Sequence, residues 1–327
     1  MSRDTLAIAA ALRGYLPGGE AIRAVVPLTT GFSNETYLVE GRDWILRMPP
    51  AGGAILEGHD VVAQAQLYVA LGEIAGGPPV PGIVAICEDE RVLGAPFFVM
   101  ECVAGAEVHD TQLPDWFTSP GDQFRRQLCE IWLTQVASFA ALAPLAVLGE
   151  PVSPEQDART WREFARKANC PALVAAYDRL LARPAPLSGP PAVVHGDVKL
   201  SNFMWDDGRL SAVLDWEMAL NGDPLSDLGY FLIFFEGPFH RAATPQREPG
   251  MVSRDEAIAL WERASGRSSE GVSWHEIAQM GKTIAIIAEG AAMFVSGRST
   301  DPKLALFQKN LDYYLGVMHA MLDAQGL

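Results

Sequence analysis

Short alternating apolar and polar stretches recur within the first hundred residues, and from residue 121 onward the period changes to that of helices. Residues 1–16, MSRDTLAIAAALRGYL, read as an amphipathic helix. Residues 21–28, 35–40 and 44–47 alternate as strands, with a turn at 41–43, which predicts an antiparallel meander. A helix follows over 59–71, then two strands over 83–87 and 92–100 across a turn at 88–90. From 121 onward Phe124, Leu128, Ile131, Trp132, Val136 and Phe139 keep three- and four-residue spacing, a stripe that belongs to a core. Helices are predicted over 160–168, 172–181, 228–235, 254–264, 274–294 and 302–322. The proline-rich segment 184–191 and the Pro/Gly-rich segment 236–250 are loops, and no internal repeat or low-complexity segment is present.

The stretch 193–229, VVHGDVKLSNFMWDDGRLSAVLDWEMALNGDPLSDLG, holds the densest chemistry. An apolar pair runs into His195-Gly196-Asp197. Residues 203–205 and 210–214 are apolar runs on either side of the turn signal Asp206-Asp207-Gly208, which predicts a short hairpin. Asn202 stands just before its first strand and Asp215 just after its second, so the open end brings them side by side, with Asp197 on the loop that feeds it. An amide and carboxylates at such a mouth suit a hard cation such as Mg²⁺, which takes oxygen ligands, waters and phosphates. One further carboxylate can act on a substrate hydroxyl, and that division of labour is what phosphoryl transfer from ATP requires.

Composition narrows the setting. With 327 residues and 49% apolar content the chain can bury a large core, in two compact units or one large one. Cys87, Cys102, Cys129 and Cys170 are widely spaced without C-x-x-C, which predicts neither a zinc site nor a disulfide framework and fits a reducing cytoplasm. The N-terminus lacks a small-residue cleavage pattern. The most apolar run, 283–295, is broken by Glu289 and Gly290 and falls short of the roughly 20 residues of a membrane span. A net charge of −15 argues against nucleic acid, whose affinity rests on Lys and Arg contacts to phosphate; it is a solvated acidic surface or a field that draws a cationic substrate. Arg159, Arg162, Arg166, Lys167, Arg179 and Arg183 give one region a local basic bias, either a solvated face or a contact for an anionic substrate.

HGDVKLSN followed by LDWE resembles the catalytic and metal-binding loops of the aminoglycoside phosphotransferase family, small-molecule kinases that share the protein-kinase fold. The resemblance implies an α+β, bilobal protein-kinase-like fold: an antiparallel β-sheet N-lobe that binds nucleotide over residues 1–103, and a mainly helical C-lobe that carries catalysis and substrate binding over 104–327. It implies Asp197 as the catalytic base, Asn202 and Asp215 as Mg²⁺ ligands, His195 as support of the loop, and Asp227 as the acid that holds the loop by hydrogen bonds. Lys199 stands where protein kinases carry a phosphate-facing lysine. Gly31, Ser33 and Asn34 match the G-x-S-N nucleotide loop, and Arg47 matches the strand cation that holds the α- and β-phosphates. Met100 is expected to wall the adenine pocket, with the backbone of Glu101 and Val103 facing the purine. The chain departs from the pattern at Gln64, where kinases keep a Glu paired to the strand cation; Glu57 or Asp60 can substitute. It departs again at residues 139–142, which lack the family's histidine.

The implied cofactors are ATP and Mg²⁺, and the implied partner is a small molecule with a hydroxyl. Glu217 either helps through water or is a surface residue, and His240, Arg241 and Arg247, on the loop after the catalytic segment, are substrate contacts or surface. The segments SNETYLV, WILRMPP, LGAPFFVMECVAG and VLDWEMALNGDPLSDLGYF look most like the branch related to the kinase-like domain fused to acyl-CoA dehydrogenases, which favours a metabolic hydroxyl over an antibiotic. Two alternatives stay open: a nucleotide-binding pseudokinase, motivated by Gln64, and a metal-dependent hydrolase built on His195, Asp197, Asp215, Asp223 and Asp227.

Overall fold

A computed structural model describes residues 3–28, 34–51, 60–109, 113–235, 248–299 and 302–327. The chain divides into two compact units, residues 1–104 and 105–327.

The first unit is a five-stranded antiparallel sheet with helices. Helix α1 (Thr5–Tyr15) starts where the Asp4 carboxylate accepts from the N–H groups of Leu6 and Ala7. Strands β1 (Ala24–Leu28), β2 (Glu35–Glu40) and β3 (Trp44–Met48) form the expected meander, followed by α2 (Val61–Gly72) and β4 (Ile83–Cys87). The helical turn α3 (Glu90–Leu93) and β5 (Phe97–Glu101) complete the sheet in the order β1-β2-β3-β5-β4. The strand expected over 92–100 therefore starts later. Asp89 caps α3 by accepting from Arg91 N–H at 3.0 Å, and Gly94 closes it at φ 78°, so local capping overrides the apolar run.

Period-two alternation sorts the sheet's side chains. Leu46, Phe97 and Val99 pack with Ile8 and Leu12 of α1, Val25, Tyr37 and Val39 in one buried cluster. Arg47 lies on the opposite face, in register with Thr36 on β2 and Phe98 on β5. Tyr68 of α2 packs against Phe98 with ring centroids 6.1 Å apart, and Gln64 lies one turn earlier on the same helix face.

The second unit is mainly helical: α4 (Asp115–Thr118), α5 (Asp122–Ser138), α6 (Pro154–Lys167), α7 (Pro171–Leu181), α8 (Leu225–Phe235), α9 (Arg254–Ser265), α10 (Val272–Val295) and α11 (Pro302–Ala324). Helix α6 begins earlier than the expected residue 160 because Ser153 and Gln156 form a capping box with Pro154 at the first helical position. Between α7 and α8 lie β6 (Ala192–Val194), β7 (Phe203–Asp206), β8 (Arg209–Val213) and β9 (Leu220–Gly222). The hairpin β7-β8 matches the expectation, whereas the antiparallel pair β6-β9 joins segments that sequence spacing left apart. Helix α10 runs through the middle of the unit, with buried residues on every side, and shares a core with α6, α7 and α11 through Tyr177, Leu180, Met280, Ile284 and Met318. No helix among the described residues is long and apolar enough to cross a membrane.

Candidate active site

Strand β6 ends at Val194 and delivers His195, Gly196 and Asp197 into a tight turn. Gly196 has φ 81°, and a Cβ there would lie 2.4 Å from Met218 O, so both backbone conformation and space require glycine. Asp227, in the first turn of α8, accepts from His195 N–H through Oδ2 and from Gly196 N–H through Oδ1, both at 2.8 Å. One buried carboxylate thereby satisfies two adjacent backbone donors and ties α8 to the turn.

His195 is fully buried, and burial pushes its pKa down against the opposing charges of Asp227 and Asp197. The ring is neutral with a defined tautomer: Asp197 N–H donates to Nδ1 at 3.1 Å, which leaves the proton on Nε2 to donate to Leu214 O at 2.9 Å. Phe139 stacks on this ring at 6.1 Å and Trp216 packs against it at 4.4 Å. Aromatic rings thus enclose the imidazole within the turn.

Both oxygens of the Asp197 carboxylate are engaged. Tyr230 OH donates to Oδ1, Asn202 Nδ2 donates to Oδ2 at 2.8 Å, and Lys199 Nζ stands 3.3 Å from Oδ2. Burial works to raise the pKa of this group, but the Lys199 charge, the Tyr230 hydroxyl and Asn202 outweigh it and hold the pKa below the usual carboxylate value. The side chain is 14% exposed, enough for one face to meet a ligand.

Asn202 closes a 3₁₀ turn before β7, and its nitrogen also donates to Asp197 O at 2.8 Å. Its carbonyl oxygen is thus the end left for a cation. Leu214 N–H donates to Asn202 O at 2.8 Å, which extends the hairpin by one bond and sets Asp215 directly after it. Asp215 is a non-glycine residue in the left-handed region, at φ 63°. Such backbone is sparsely populated and clusters at functional sites. An amide oxygen and a carboxylate are the donor set that Mg²⁺ accepts, so the residues fit that ion. Glu217 lies in the following 3₁₀ turn, Trp216–Met218.

Three residues that sequence reasoning did not single out also hold the turn. Tyr230 binds Asp197 directly. Trp132 of α5, read as part of a core stripe, donates its indole N–H to Val198 O at 3.1 Å. Lys282 of α10 donates to Gly196 O at 2.6 Å. A Lys at the edge of an apolar helical run is the only signal that marked it.

In the first unit, Met100 is buried, Glu101 exposed and Val103 half-buried. Glu101 N–H donates to Gly82 O at 2.9 Å, which removes that donor from the backbone expected to face a purine. Gln64 is 5% exposed, and neither its Oε1 nor its Nε2 has a hydrogen-bond partner among the described residues. It therefore does not pair with Arg47. Asp60 caps α2: its Oδ1 accepts from Val62 N–H at 2.8 Å. Asn34 is half-buried at the start of β2, whereas Gly31, Ser33, Glu57, His240, Arg241 and Arg247 lie outside the described residues.

The metal-hydrolase alternative meets a direct obstacle. Asp223 accepts from Ser188 N–H, Ser188 OH and Leu225 N–H, Asp227 accepts from two backbone N–H groups, and both nitrogens of His195 are engaged. Among the described residues no three His, Cys, Asp or Glu side chains converge to hold a metal ion.

Comparison with solved structures defines the class. A Ralstonia eutropha protein provisionally described as an aminoglycoside phosphotransferase superposes with TM-score 0.77 at 20% identity, over 99% of each chain. The GDP complex of an aminoglycoside 2'-phosphotransferase superposes with TM-score 0.62 at 15% identity, over 96% of this chain and 99% of that one. The fold is therefore α+β and protein-kinase-like, with a sheet-bearing N-terminal unit and a helical C-terminal one. The profile described as "Phosphotransferase enzyme family" matches residues 24–265, and the chain belongs to that family. Among curated relatives, human acyl-CoA dehydrogenase family member 11 is 27% identical over 283 residues, covering 81% of this chain and 35% of the relative. The rat protein of the same name is 29% identical, over 83% of this chain and 37% of the relative, and Streptomyces vinaceus viomycin phosphotransferase is 32% identical over 41% of this chain and 48% of the relative. The chain spans about a third of the length of the acyl-CoA dehydrogenase relatives.

Proposed function

We propose that this protein transfers the γ-phosphoryl group of ATP to a hydroxyl of a small molecule. The observation that carries the reading is the Asp197 carboxylate, ionised and aimed by Tyr230 OH, Asn202 and Lys199 on a turn clamped by Asp227. In this reading Asp197 orients the acceptor hydroxyl and takes its proton as the new P–O bond forms. Asn202 Oδ1 and Asp215 would hold Mg²⁺, which when bound with ATP would supply neutralisation of the phosphate charge and of the charge on the departing ADP. Arg47 and Lys199 offset the remaining negative charge, Asn34 belongs to the nucleotide loop, and Met100 with the backbone at Glu101 and Val103 meets the base. Neutral His195 keeps the turn in shape without entering the chemistry.

For the acceptor, the acyl-CoA dehydrogenase relatives cover about twice as much of this chain as viomycin phosphotransferase does. That favours a metabolic hydroxyl, with hydroxyacyl thioesters first among the candidates. The test is ATP consumption with Mg²⁺ against a panel of hydroxylated metabolites, hydroxyacyl-CoA thioesters and aminoglycosides. Acceptor-dependent release of ADP from one class supports the reading, and no nucleotide binding at all rejects it. The orphaned amide of Gln64 favours one second reading, a nucleotide-binding regulator without turnover, and acceptor phosphorylation excludes it.

A further inference from the structure

One buried cation has no part in the mechanism above. Lys282 is 5% exposed on α10, and lysine is almost never this buried unless its charge is met. Its Nζ donates to Gly196 O at 2.6 Å and lies 5.7 Å from the ring centroid of Trp161 and 5.5 Å from that of Tyr230. Both rings are within cation–π range. The Trp161 ring is itself oriented, since its Nε1 donates to Asp157 Oδ1 at 3.0 Å. No carboxylate among the described residues makes an ion pair with the ammonium. Burial lowers its pKa while the more distant charges of Asp157, Asp197 and Asp227 oppose that shift.

What Lys282 holds is a peptide that glycine would otherwise leave loose. Gly196, at φ 81°, admits more than one orientation of the peptide that follows it. In this structure the Gly196–Asp197 peptide is gripped at both ends: its oxygen by Lys282, its N–H by Nδ1 of His195. That plane sets the direction in which the Asp197 side chain leaves the backbone. The same ammonium lies over the ring of Tyr230, whose hydroxyl binds the Asp197 carboxylate. Lys282 therefore contacts two of the groups that orient the acid.

We propose that Lys282 is a positioning residue for Asp197, fixing the Gly196–Asp197 peptide and the Tyr230 ring so that the carboxylate faces the acceptor hydroxyl in one orientation. The proposal rests on Asp197 being the base, and its test separates the two. Lys282→Met keeps the side-chain volume and removes the donor and the charge. Its expected effect is a fall in kcat for ATP consumption of about 10–100-fold, the cost of a small misplacement of a reacting group. The Kd for Mg·ATP measured by calorimetry stays at the wild-type value. Amide exchange followed by mass spectrometry quickens in the peptide spanning 194–203 and remains unchanged in α5. Lys282→Gln, which keeps a donor for Gly196 O, recovers part of the rate. If Lys282→Met does not fold, Lys282→Gln and Tyr230→Phe carry the test, with kcat falling at unchanged Mg·ATP affinity in both. A folded Lys282→Met with wild-type kcat and wild-type exchange at 194–203 overturns the proposal. So does a parallel loss of kcat and nucleotide affinity without a change in exchange at the turn. A wild-type protein that neither binds nor consumes Mg·ATP instead rejects the kinase reading, and exchange at 194–203 still decides whether Lys282 holds the turn.

Discussion

Asp197→Asn isolates the chemical role of the acid from its structural one. The amide has the same shape, and the hydrogen bonds around it can be remade: Asn Oδ1 accepts from Asn202 Nδ2 and Lys199, while Asn Nδ2 faces Tyr230, whose hydroxyl turns to accept. The turn keeps its clamps, because Asp227 and Lys282 hold backbone atoms and not the Asp197 side chain. Removal of a positioned base alone costs about 10²–10⁴ in rate, or about 3–5 kcal/mol of transition-state stabilisation. Expected, then, are a kcat for ATP consumption reduced by about that factor, a Kd for Mg·ATP unchanged by calorimetry, and a far-UV spectrum identical to wild type. A folded Asp197→Asn protein that turns over within about tenfold of wild type, below the range for such a base, refutes the assignment.

Four further outcomes follow from the same geometry. Asp215→Ala is expected to lose Mg²⁺-dependent ATP binding as well as turnover; calorimetry that finds wild-type affinity sinks the ligand assignment. Gly196→Ala forces a Cβ to 2.4 Å from Met218 O at φ 81°, so chemical denaturation should show a loss of at least about 2 kcal/mol, and a loss under half that refutes the packing account. Gln64→Leu removes two buried, unpartnered polar atoms in similar volume, which should raise stability by about 1–3 kcal/mol; a lower melting temperature would mean the amide has a partner. Burial raises the Glu35 pKa, but the Ala51 N–H, Tyr37 OH and Arg3 outweigh it and the pKa is lowered. A depressed pKa gives stability present at neutral pH and lost as pH falls through the folded-state value, so Glu35→Gln should flatten the acid limb of the stability curve, and an unchanged limb contradicts this.

How far the sequence revealed this site depends on the range over which each residue acts. The β7-β8 hairpin was readable because its period, its Asp-Asp-Gly turn and its flanking polar residues lie within fourteen positions. The start of α6 was readable in principle, since Ser153 and Gln156 spell a capping box, yet the apolar spacing that suggested residue 160 ignored it. The turn at Glu90–Leu93 was masked by the apolar residues around it, although Asp89 and Gly94 are cap residues. Tyr230 and Trp132 were hidden for a different reason: each lies in an apolar helical stripe, where burial accounts for an aromatic without any polar role. Their hydrogen bonds to Asp197 and to Val198 O depend on which segment the fold brings opposite them. Lys282 is the instructive case. His275, Glu276, Gln279 and Lys282 are polar residues in a helix whose neighbours are apolar on every side, and a helix that is apolar all round is buried. Polar side chains in such a helix must find partners inside the protein. Three of them do: His275 bonds Pro186 O, Glu276 pairs with Arg254, and Lys282 reaches Gly196, whereas Gln279 Oε1 has no hydrogen-bond partner among the described residues. Pattern alone shows that partners are required. Only the fold, which joins positions 86 residues apart, shows that the partner of Lys282 is the turn bearing Asp197.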